Sequence, residues 1–101
     1  MYVILTSKPG QFRTEVIDGL RPQEAYDSLF YGCKKAYFVI AELLPESTKI
    51  RIVEDDTAIV NEVPSKFLEK FETVEGAFNE LNHLTSFGHM DTVLRKTAVI
   101  E

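Results

Sequence analysis

A chain of 101 residues, 45% apolar and 27% charged, has the size and balance of a single domain (1–101) with one hydrophobic core, which excludes a disordered or fibrous chain. Its 11 basic and 16 acidic residues leave a formal charge of −5, which opposes attraction to phosphate backbones and ranks nucleic acid behind other partners. Cys33 is the only cysteine, so an intrachain disulfide and any cysteine-based zinc or iron–sulfur site within one chain are ruled out.

A lone cysteine favours a reducing compartment. Tyr2-Val3-Ile4-Leu5 is apolar, but it lacks a basic leader and is too short for a signal peptide or a membrane span. The expectation is a cytoplasmic protein without membrane contact.

Tyr2 to Thr6 is β-branched and aromatic, and Ser7-Lys8-Pro9-Gly10 follows as turn chemistry: Pro presets φ, and Gly accepts φ > 0. Gln11 to Ile17 alternates, with Phe12, Thr14 and Val16 on one face, which predicts a first β-hairpin. Asp18-Gly19 breaks the pattern, and Pro22 suits the first turn of a helix. Ala25, Tyr26, Leu29, Phe30 and Cys33 recur at helical spacing, so a first helix is expected, closed by Gly32 in the left-handed conformation.

Ala36 to Leu44 reads as a strand apolar on both faces, hence interior or covered on both sides. Pro45 to Thr48 makes a turn, and Lys49 to Val53 returns with Ile50 and Ile52 inward and Lys49 and Arg51 outward. Glu54-Asp55-Asp56 is an acidic loop without the length or spacing of a calcium site. Ala58 to Val63 is a further short strand ended by Pro64. Ser65 is expected to cap a short helix carrying Phe67, Leu68 and Phe71. Thr73 caps the next, with Glu75 near the positive end of its dipole and Val74, Ala77, Phe78, Leu81 and Leu84 on its apolar stripe. Gly88 stops that helix, and Thr92 to Ile100 forms a last strand at a sheet edge or against a partner. The predicted fold is α+β: a two-layer sandwich, mainly an antiparallel sheet of about five strands with two to three helices packed on one face.

Both histidines fall in the join before the last strand. His83 and His89 are six residues apart, which is not an i, i+4 metal pair on a helix. His89-x-Asp91 would share a strand face, where Asp91 could orient the imidazole as a base or ligand. The plainer explanation makes His83 a surface helix residue and His89 and Asp91 loop residues, since no nucleophile or metal set can be placed beside them. Glu80-x-x-His83 matches half of a di-iron motif, but a second copy and further carboxylates on a helical bundle are missing.

Cys33 feels opposing influences, a helix C-terminus against a thiolate and Lys34 and Lys35 for one; pairing with His83 or His89 would make it a nucleophile. Lys34 and Lys35, with Arg21 and Tyr31, form a candidate binding cluster, and Tyr26 with Phe30 and Tyr31 a candidate aromatic edge. Lys49, Arg51, Arg95 and Lys96 would form a second basic cluster if their strands are neighbours. Glycine-rich phosphate loops are absent, and no cofactor or metal is implied.

The blocks Thr6-Ser7-Lys8-Pro9-Gly10, Leu20-Arg21-Pro22 through Tyr31-Gly32, and Val63 to Phe71 resemble those of a family of small uncharacterised bacterial proteins. The resemblance spans nearly the whole chain. It implies a compact cytoplasmic α+β domain from a bacterium and carries no activity or site residues with it. The expected function is therefore a small non-catalytic binding or accessory protein acting through a protein partner or a homo-oligomer, on a surface around the first helix and the helix–strand join. The alternative is a small enzyme or metal-binding protein centred on His89 and Asp91.

Overall fold

The structure, a computed structural model, describes residues 1–15, 19–44, 49–86 and 92–97. The described residues form seven strands: β1 (Tyr2–Ser7), β2 (Phe12–Glu15), β3 (Leu20–Phe30), β4 (Cys33–Leu43), β5 (Lys49–Glu54), β6 (Val60–Pro64) and β7 (Thr92–Thr97). One α-helix, α1 (Val74–Ser86), and one 3-10 turn, Ser65–Phe67, complete the described elements. The strands make two antiparallel sheets, ordered β1-β4-β3-β7 and β2-β5-β6.

The larger sheet is covered on both faces. Val39, Ala41 and Leu43 of β4 join Val3 and Leu5 of β1, Leu20 and Ala25 of β3, and Ile50 of β5 in one buried cluster. Ile40, with Phe38 packed beside it, points the opposite way and meets Tyr26 and the helix residues Ala77 and Leu81. The alternation expected of a strand covered on both sides is thus present in β4. The α+β character holds, but a single sheet carrying two to three helices does not. The strands divide between two sheets, and α1 is the one α-helix among the described residues.

The helix expected after Pro22 is strand β3. Ala25 and Tyr26 are both buried but belong to opposite clusters, as neighbours on a strand must. Both faces of β3 need apolar residues, and two register shifts break the strict alternation: one between Pro22 and Glu24, the other between Ser28 and Leu29. The remaining pattern imitates a helical stripe. Among the described residues β7 pairs with Ala25–Phe30 and not with Pro22, which lies beside a bulge, a position where the missing N–H is tolerated. Gly32 is left-handed as expected (φ 78), but in the two-residue hairpin turn Tyr31-Gly32, where Tyr31 also has φ 51. Positive φ at both central residues defines a type I′ turn, which matches the right-handed twist of its strands.

The first predicted hairpin is a corner between sheets. Gln11 N–H donates to Lys8 O at 3.0 Å across Pro9 and Gly10 (φ 80), a type II turn. After the bridge between Lys8 and Phe12, β1 runs in one sheet and β2 in the other. Thr14 ties the corner: its N–H donates to Ser7 Oγ at 2.9 Å and its hydroxyl to Thr6 O. At the other end of β1, Tyr2 and Phe71 exchange backbone bonds of 2.7 and 2.8 Å. The outer edge of β1 is therefore closed at both ends, which blunts strand addition there.

Lys49–Glu54 keeps Ile50 buried and Lys49 and Arg51 exposed, as the alternation predicts. Ser65 does not cap: it is the first residue of the 3-10 turn and is buried, while Phe67 on that turn is 71% exposed. Thr73 caps α1 as expected, accepting from Gly76 N–H at 2.9 Å. Leu84 leaves the stripe and is exposed. The turn at 45–48 and the helix stop at Gly88 lie outside the described residues. No described helix is long and apolar enough to cross a membrane.

Candidate binding surface at the β3–β4 hairpin

Tight turn chemistry between two eleven-residue strands projects Tyr31, Gly32, Cys33, Lys34 and Lys35 together at one end of the larger sheet. Tyr31 is 72% exposed, and its ring meets Phe30 edge-on with centroids 4.5 Å apart. Lys35 is the residue bulged out of β4, since Ser28 pairs with Ala36 and Leu29 with Lys34. Cys33 is an exposed free thiol at the start of a strand and not at a helix C-terminus, so the helix dipole invoked against its thiolate is absent.

Below the tip, Asp27 is only 5% exposed. Its carboxylate lies between Lys34 Nζ (3.1 Å) from β4 and Arg95 Nη2 (3.5 Å) from β7. Lys34 is off the line of a hydrogen bond, so buried Oδ1 is met by charge but by no aligned donor. Lys34 Nζ also stands 5.1 Å from the ring centroid of Tyr37, in cation–π range. Two cations on one carboxylate, with exposed Lys35 beside them, leave this end of the sheet locally positive in a chain of net charge −5.

On the helix-facing side, Tyr26 donates its hydroxyl proton to Glu24 Oε1 at 2.8 Å, and Lys96 Nζ reaches Glu24 Oε2 at 3.1 Å. Burial, reinforced by that hydrogen bond and the carboxylate charge, pushes the Tyr26 hydroxyl up to about 12. The same hydrogen bond, then Lys96, holds Glu24 below the usual carboxylate range. Tyr26 is thus a buried anchor of the sheet and not part of an exposed aromatic edge.

Arg21 stands apart from the cluster. It pairs with Glu42 (3.4 Å) near the opposite end of β3 from Lys34. Lys49 and Arg51 belong to the other sheet from Arg95 and Lys96, so the second basic cluster does not form. Tyr31, Lys34 and Lys35 are the binding candidates brought together. Arg95 joins them, a neighbour that only the β3–β7 register reveals.

His83 is exposed on α1. His89 and Asp91 lie outside the described residues. No group of three or more His, Cys, Asp or Glu among the described residues could hold a metal ion. The register still fixes one relation: β7 begins at Thr92 opposite Phe30, on the hairpin that carries Cys33. The chain matches no family model, no curated protein and no solved structure.

Proposed function

We propose that the protein is a small non-catalytic binding or accessory protein whose contact surface is the β3–β4 hairpin tip with the adjoining β7 edge. The observation that carries this reading is Tyr31. A bulky aromatic in the left-handed conformation is uncommon, and type I′ turns favour Asn or Asp before Gly. The ring is mostly exposed, so burial does not compensate the strain. Strain retained beside exposed Lys34 and Lys35 is the pattern expected where a side chain serves a contact. Aromatic and basic groups on a preformed turn suit a protein partner, or a second copy, with an acidic or carbonyl-rich face.

The test is affinity capture from the source cytoplasm with wild-type protein and with Tyr31→Asp and Lys34→Glu/Lys35→Glu, together with native mass measurement. A stoichiometric partner or homo-oligomer held by the wild type and lost in folded variants is expected. A strictly monomeric protein that retains the same companions in every variant would refute the reading. A cytoplasmic setting accords with the exposed free thiol of Cys33.

A second reading keeps a small enzyme or metal-binding site around His89 and Asp91, favoured by the start of β7 at Thr92, the next residue in sequence after Asp91, opposite Phe30 of the hairpin that carries Cys33. Elemental analysis and proton-NMR titration of the histidines decide it. Two imidazoles titrating as ordinary solvent-exposed histidines do, with no co-purified metal, would remove it.

A further inference from the structure

Away from the hairpin, a cleft of about 460 Å³ opens between the end of β4 and the segment around the 3-10 turn; its walls include Met1, Leu43, Leu44, Lys66 and Lys70. We propose that it is a binding site for an amphiphilic carboxylate, a single acyl chain with an anionic head. The volume lies in the range of roughly 300–1,000 Å³ found for small-molecule sites. Its apolar wall is unusually open: Met1 and Leu44 are exposed large apolar residues, and Phe67 stands beside Lys66 with the ammonium 5.4 Å from its ring centroid.

The charge is selective. Arg13, Arg21, Lys34, Arg51, Arg95 and Lys96 pair with carboxylates; Lys8, Lys35, Lys49, Lys66 and Lys70 pair with no carboxylate of a described residue, and of these five Lys66 and Lys70 share the walls of this cleft. Both face one cleft in a chain whose net charge is −5. Lys70 is also held in place. Its Nζ donates to Ser65 O at 3.0 Å and to Leu68 O at 3.4 Å. Neutral carbonyls fix the ammonium without cancelling its charge, and of its three protons one remains for an incoming anion. A part-buried, preorganised cation above an apolar wall selects an anionic head with an apolar tail over an inorganic anion or a neutral oil.

The probe is sodium decanoate, below its aggregation threshold, titrated calorimetrically into the full chain. One saturable site is expected, with affinity rising up to about four-fold per methylene from hexanoate to decanoate. Decyltrimethylammonium should bind at least about ten-fold more weakly. Lys66→Gln and Lys70→Gln should each weaken decanoate several-fold, and Leu44→Gln should do so without adding charge beside either lysine. Lys66 and Leu44 are exposed, so their variants report even if Lys70→Gln disturbs the fold. Equal affinity for the cationic amphiphile, insensitivity to both lysine substitutions, or retention on phosphatidylglycerol vesicles without a saturable decanoate site would each overturn the proposal. Because the hairpin variants leave this cleft intact, loss of one site is distinguishable from loss of the other.

Discussion

Replacing Tyr31 by Asn should stabilise the protein. An L-residue in the left-handed region costs roughly 1–2 kcal/mol, and Asn relieves most of it because its short polar side chain suits that conformation. The substitution removes the edge-on contact with Phe30. Such pairs contribute about 0.5–1.5 kcal/mol, and an aromatic ring 72% exposed belongs at the low end. The net gain is about 0.5–1 kcal/mol, or roughly 2–8 °C in Tm for a domain of this size. Tyr31→Ala is the control: it loses the ring and keeps the strain, so it should fall about 0.5 kcal/mol below wild type. Urea and thermal unfolding followed by circular dichroism would measure all three proteins. An Asn variant less stable than wild type, or an Ala variant equal to the Asn one, would refute the claim that Tyr31 carries turn strain.

Ala58, the other non-glycine residue with positive φ (57) among the described residues, closes the β5–β6 loop. Ala58→Gly should gain about 0.5 kcal/mol in urea, the relief of strain less the added chain entropy, and no gain would mean the loop is unstrained. Thr73→Ala should cost about 1 kcal/mol by removing the cap on Gly76, and Thr73→Ser should restore most of it; equal stability of all three would sink the capping argument. Tyr26 has its folded pKa raised, so it stabilises fully below the unfolded value near 10 and loses that contribution as pH rises toward 12. Tyr26→Phe should therefore flatten the alkaline fall in stability and delete the phenolate absorbance component centred near 12. Persistence of that component in the Phe variant would assign it elsewhere.

The elements legible in the sequence are those with one strong local determinant. Thr73 before an apolar i, i+3, i+4 stripe marked α1, Pro9-Gly10 marked its turn, and the alternation of Lys49 to Val53 marked β5. The strand β3 was not legible because an interior strand with register shifts places apolar residues on both faces, and Pro22 imitates a helix start. That single substitution of strand for helix also moved the candidate surface. Lys34 and Lys35 were read at a helix end beside Arg21, whereas the extended chain carries Arg21 to the other end of the sheet. Asp27 drew no attention in the sequence because its partners come from two other strands. Its burial depends on a pairing with Arg95 across 68 positions, and nothing local signals that.

The order β1-β4-β3-β7 also bears on how the sheet assembles. Its two central strands are joined by a two-residue turn, while its outer strands come from opposite ends of the sequence. Chain closure costs more for distant pairs, so the central hairpin is the natural nucleus, and β7 must be recruited across the longest span. Among the described strands β7 has one neighbour, against two for β3. Its amides should exchange with solvent ahead of those shared by β3 and β4, a difference that hydrogen exchange would resolve. The ion pair between Arg95 and Asp27 then acts as a late clasp, closing the buried carboxylate only when the final strand has docked.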